Sequence, residues 1–190
     1  MKKIALIAMT AAAVIATPAM AQDVTGTINI TGSVAKKCFV LNGSAVSSTF
    51  GTTVALGELA KSDGTLRASS DLSSAFATAG GSALDAQVVC TSATPSVSVT
   101  AEPLANTVTA DTGYDNSIDY RADVTLTTVA GDVTVNDPSS NIAATTTNLT
   151  SRLTGTGTNV KVRTSNWTAD GVLVAGSYTG KITVVIAPGA

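Results

Sequence analysis

The side chains able to do chemistry in this 190-residue chain are few. There is no histidine, so the usual general base and metal ligand near neutral pH is missing. Cys38 and Cys90 are the two cysteines. In an exported chain their simplest use is one disulfide, set against two separate buried thiols; a metal pair would lack further Cys or His ligands. Such a bridge closes a loop of just over fifty residues. On the chain-entropy account that stabilises by roughly 4 kcal/mol. Asp111, Asp115, Asp119 and Asp123 recur every fourth residue, but without the alternate acidic ligands and closing bidentate Glu of an EF-hand. On a strand that spacing puts carboxylates on one face but about 13 Å apart, which favours solvated charges over a calcium site. The lone Trp167 offers a ring for stacking on a sugar, against the commoner use of a Trp in core packing. No catalytic residue, metal or cofactor is expected, which leaves a binding or structural role.

The compartment follows from the first residues. Lys2 and Lys3 precede an apolar run from Ile4 to Ala16, Pro18 breaks it, and Ala19-Met20-Ala21 supplies a small-x-small cleavage pattern. The run is about thirteen residues, short of the roughly 20 that span a bilayer. A signal peptide over 1–21 and no transmembrane segment are therefore expected. Removing Lys2 and Lys3 from the eleven basic residues leaves nine, against thirteen acidic ones. That mildly acidic balance, with no basic block, gives no footprint for nucleic acid.

Strand patterns recur along the rest: Cys38 to Leu41, Thr53 to Leu59, Ala86 to Cys90, Ser96 to Thr100, Ile118 to Thr127, Asp132 to Val135, Val160 to Arg163 and Tyr178 to Ile186. Gly, Pro, Asn and Ser clusters bound them at spacings that suit an all-β sandwich or barrel, one sandwich being the economical reading. One helix candidate stands out, Asp71 to Ala79, expected to run one or two turns at most. Lys61 to Ser82 and Asp137 to Asn159 otherwise read as loops. The two ends carry the sharpest alternation. Val24, Gly26, Ile28, Ile30, Gly32 and Val34 line one face of an eleven-residue stretch, and Thr, Asn and Ser line the other. Tyr178, Gly180, Ile182, Val184 and Ile186 do the same near the C-terminus, with Val185 the one interruption. An alternating strand just behind a cleavage site is unusual, because a polar tail is commoner there.

In order along the chain stand a signal-like segment, VTGTINITGSV, KKCFV, STFGTTVALG, AQVVCTSATPSVSVTAE, IDYRADVTL and AGSYTGKITVVI. This ordered set resembles the spore coat protein U family and the related major subunits of archaic chaperone–usher pili. The resemblance implies a single immunoglobulin-like β-sandwich over 36–190, incomplete and with one disulfide. Residues 22–35 would form a donor-strand extension. Such subunits leave the last strand's place open as an apolar groove. A periplasmic chaperone fills it first, and at an outer-membrane usher the next subunit's N-terminal strand replaces the chaperone. Val24, Ile28, Ile30 and Val34 would then fill pockets, Gly26 or Gly32 would sit where backbones approach closely, and Tyr178, Ile182, Val184 and Ile186 would line the acceptor groove. The implied partners are other pilus subunits, the chaperone and the usher, with export through the periplasm to the cell surface. The competing expectation is a secreted monomeric β-sandwich binding module, carbohydrate-binding through the Trp167 region.

Overall fold

The computed structural model describes residues 25–141 and 143–189. The expected signal peptide and Val24 lie outside the described residues. Residues from Val34 onward form one compact unit, and residues 25–33 belong to a second one.

The compact unit is mostly β, with one α-helix. Its strands are β1 (Cys38–Asn42), β2 (Ala45–Ser47), β3 (Asp85–Cys90), β4 (Ser96–Ala105), β5 (Tyr114–Asp115), β6 (Ser117–Thr128), β7 (Gly131–Pro138), β8 (Thr145–Asn148), β9 (Val160–Thr168), β10 (Val172–Leu173) and β11 (Thr179–Ala187). Hydrogen bonding links them in the order β11-β4-β6-β9-β3-β1-β2, with β7 on β6 and β8 on β4; β5 and β10 form a separate pair. Period-two burial is cleanest in β6, where Ile118, Tyr120, Ala122, Val124 and Leu126 point inward and are all buried. Val97 and Val99 of β4 and Val160 of β9 meet them in the core. Cys38 and Cys90 are joined as a disulfide and stand directly opposite each other in the β1–β3 register.

The ladder has two seams. β4 meets β6 only at Leu104–Ile118 and Ala105–Ser117, after which β4 turns to β8 and β6 turns to β7. The Ala101 amide falls at this parting. It donates to Oδ2 of Asp137 at 2.7 Å, while Oδ1 accepts from the Thr145 amide (3.2 Å) and hydroxyl (2.6 Å). Asp137 is fully buried. The second seam joins β3 to β9 through only two pairs, Asp85–Lys161 and Ala86–Val160. Asn159 carries the pairing on with its side chain: Oδ1 accepts from the Val88 amide (2.8 Å), and Nδ2 donates to the carbonyls of Val88 and Thr154 (2.7 Å each). A side-chain amide stands here in place of a peptide group.

Four expectations need correction. The helix α1 spans Ser69–Gly80, twelve residues, and so exceeds the expected one or two turns. Its weak Ser-rich propensity is overridden because Leu72, Phe76 and Gly80 lie on one face and are buried. Gly80 is required there, since a Cβ would meet the Leu84 side chain at 2.4 Å. Thr53 to Leu59 forms no strand: it lacks a ladder partner, although Val54, Leu56 and Leu59 pack partly onto the core. Within the expected loop 137–159 lies β8, a Thr-rich strand recruited by pairing with β4. Finally, β9 runs to Thr168 and does not stop at Arg163. An extra residue in β9 shifts its register against β6, and Asn166 there takes a left-handed φ of 53°. Burial therefore passes from Val162 and Thr164 to Trp167, moving the Trp inward.

The seams generate a stability prediction. Asp137→Ala strands the buried amide of Ala101 and the half-buried amide of Thr145, and Asn159→Ala strands both polar groups of Val88. Each should destabilise by about 2–4 kcal/mol, whereas Asp132→Ala on the exposed face of β7 should stay within about 0.5 kcal/mol. Urea unfolding midpoints of the three variants measure this. An Asp137→Ala midpoint equal to that of Asp132→Ala would contradict the seam assignment.

Candidate functional site

Along one edge, β11 is bonded to β4 from Thr179 to Ala187; among the described residues its other edge has no partner strand. Facing that edge across a gap runs the segment from Phe50 to Ala60, which also lacks a ladder apart from a single bridge between Ala60 and Leu66. Between the two lies an open groove of about 960 Å³. Phe76 of α1, Leu84, Leu104, Tyr120, Val162 and Trp167 line it, together with Thr, Ser and backbone groups that make nearly as much of its surface polar as apolar. Glu58 and Lys181 are the charged residues that line it. An extended apolar peptide suits such a site better than a charged ligand does.

The structure brings Tyr178, Ile182 and Val184 into this groove, all half-buried. Ile186 lies on the same face of β11 and packs against the core, but does not line the groove. Sequence reasoning missed the opposite wall, Phe50, Val54, Leu56 and Leu59, as part of a site. The available signal was the alternation of Val54 and Leu56 in a stretch read as an ordinary strand. In the separate N-terminal unit, Gly26 and Gly32 have open space where a side chain would be. Ile28 and Ile30 are 88% and 92% exposed, and Val34, at the start of the compact unit, is 81% exposed.

Two tyrosines fix the β11 wall. The Tyr178 hydroxyl lies 3.0 Å from the carbonyls of Asp115 and Val174. Tyr120 donates to the Lys181 carbonyl at 3.2 Å and stacks on Trp167 with ring centroids 4.7 Å apart. At Gly180 the chain bulges so close to β4 that a Cβ would come within 2.9 Å of two β4 carbonyl oxygens. Trp167 is 5% exposed and packs in the core against Tyr120.

Three of the four acidic residues, Asp115, Asp119 and Asp123, are occupied in holding turns and strands. Asp115 accepts from the amides of Ser117 and Asp170, Asp119 from the Ser139 hydroxyl, and Asp123 from Arg121 and the Ser165 hydroxyl. Among the described residues no group of three or more His, Cys, Asp or Glu is placed to hold a metal ion, and no helix is long and apolar enough to cross a membrane. No family model matches the chain, and no curated protein matches it.

Burial, reinforced by the charges of Glu102 and Asp137, pushes the Tyr120 hydroxyl well above its ordinary value near 10. The fold thus favours neutral Tyr120 over the phenolate. That contribution is complete below the unfolded-state pKa of about 10 and is lost as pH rises beyond it, at no more than ~1.4 kcal/mol per pH unit. Between pH 9 and 11 the wild-type melting temperature should fall more steeply than that of Tyr120→Phe. Parallel slopes would remove Tyr120 from the account.

Proposed function

We propose that this chain is a structural subunit of a bacterial surface pilus, assembled by strand addition between copies. One observation carries the reading: the groove lies beside the edge of β11 that has no partner strand among the described residues, and its lining includes the strandless segment from Phe50 to Leu59. An inserted strand can bond to that edge while alternate side chains fill the groove. Within the same chain, residues 24–34 alternate apolar and polar over a length that matches such an insert. In this reading the compact unit is an immunoglobulin-like β-sandwich short of its last strand. The N-terminal arm of another copy supplies that strand, with Val24, Ile28, Ile30 and Val34 entering the groove.

Four buried Val and Ile side chains contribute on the order of 6–12 kcal/mol before ordering costs. A groove of this kind needs cover during export, which is the part played by a periplasmic chaperone until an outer-membrane usher exchanges it for the arm. The resemblance to the spore coat protein U family and archaic pilus subunits supports the same route to the cell surface, and a role in adhesion and biofilm formation.

The test is the double substitution Ile28→Asp with Ile30→Asp. Insertion would bury two carboxylates without partners, at several kcal/mol each. Fibres should be lost while a soluble subunit persists in the periplasm bound to its chaperone. Thr27→Asp with Asn29→Asp, on the polar face, should leave fibres largely intact. A binding module whose arm folds back on its own domain would behave otherwise, with little soluble double mutant recovered. Fibres of wild-type abundance from the Ile28/Ile30 variant would overturn the arm's role.

A further inference from the structure

The residues that join the arm to the compact unit are held by one side chain. Thr91 follows Cys90, and its amide donates to the Lys37 carbonyl at 2.9 Å, one step beyond the disulfide along the β1–β3 ladder. Its hydroxyl grips the same segment. Oγ1 accepts from the Lys37 amide at 2.9 Å and lies 3.0 Å from the Ala35 carbonyl and 3.4 Å from that of Lys37. A threonine hydroxyl has one hydrogen to give, and the nearer acceptor is Ala35. Donor and acceptor functions of this one group are thus both spent on residues 35–37. Val34 to Lys37 are all exposed, so burial does little to hold this segment.

We propose that Thr91 is the clasp of the arm root. With the adjoining Cys38–Cys90 bridge it ends the fixed part of the chain at Ala35, keeping the link between successive subunits short and stiff. Pull transmitted through the arm then enters the domain at a covalent cross-link and does not peel β1 away from β3. The mechanical role rests on the proposed pilus function, whereas the clasp is a property of the single chain, so the two are tested apart.

Amide hydrogen exchange on the exported, oxidised full chain tests the clasp. In Thr91→Val the Lys37 amide should exchange roughly fivefold faster, as expected for loss of one hydrogen bond. Thr91→Ser should stay near wild type, and Thr91→Ala serves if the valine variant is not exported. Unchanged exchange in the variant lacking the hydroxyl would overturn the clasp. Electron microscopy of surface fibres tests its consequence. Thr91→Val fibres should assemble in normal amount with a shorter persistence length, and Thr91→Ser fibres should match wild type. Equal persistence lengths would overturn the mechanical role. Absence of fibres from wild-type cells would strike at the pilus reading itself, and with it the mechanical role, while exchange still decides the clasp.

Discussion

A sheet whose strands part company must still satisfy every backbone amide at the point of parting. Here that demand falls on Asp137, whose buried carboxylate accepts from Ala101 on β4 and from Thr145 at the start of β8. The consequence reaches the groove directly. Among the described residues β11 pairs with β4 alone, and the register partner of Ala101 is Ile182, a groove-wall residue. The position of that wall depends on β4 leaving β6 where it does. Asn159 does the equivalent work at the β3–β9 seam, and β3 is the strand to which the disulfide ties β1.

An open edge such as that of β11 invites pairing with any passing strand, and proteins usually blunt it with charge, proline or a cover. This chain does little of that. Thr179, Lys181 and Thr183 keep one face of β11 polar, with Lys181 paired to Glu102, while the inward face stays apolar and half-covered. The segment from Phe50 to Ala60 lines the same groove as that inward face. The core beneath the groove stays buried, and only wall residues such as Tyr178, Ile182 and Val184 are left half-covered. The Cys38–Cys90 bridge adds roughly 4 kcal/mol on the chain-entropy account.

Elements whose burial follows a simple period were legible in the sequence: β3, β4, β6 and β11 stand where alternation places them, and the disulfide joins the two cysteines. What escaped depends on tertiary context. The Thr-Thr-Thr-Asn of β8 has no apolar face and becomes a strand only because β4 offers it an edge. The helix α1 extends past its weak propensity because Leu72 and Phe76 find the core. The bulge at Asn166 breaks the alternation that would otherwise have announced Trp167 as inward. At the candidate site, period-two alternation put Tyr178, Ile182 and Val184 on one face of a strand, and their place in a groove was legible only through the family resemblance. The wall from Phe50 to Leu59 was not, because its Val54–Leu56 alternation matches that of a paired strand, although the segment has no ladder partner.

The residues and backbone lining the groove decide whether strand addition can work energetically. Ordering an eleven-residue arm costs on the order of 11–22 kcal/mol of backbone entropy. Four arm side chains at about 1.5–3 kcal/mol each supply only 6–12 of that. Completing the cover of Val54, Leu56, Leu59, Tyr178, Ile182 and Val184, already half-buried, adds roughly 4–9 kcal/mol at half the same rate. Apolar burial on both surfaces therefore brings insertion close to balance and no further. The remainder must come from backbone hydrogen bonds, each about 0.5–1.5 kcal/mol net, so a strand bonded along two edges has twice the margin of one bonded along a single edge. The edge of β11 left without a partner among the described residues, with the strandless segment lining the same groove, is thus the feature that makes the arm a credible occupant, and its apolar residues alone would not suffice.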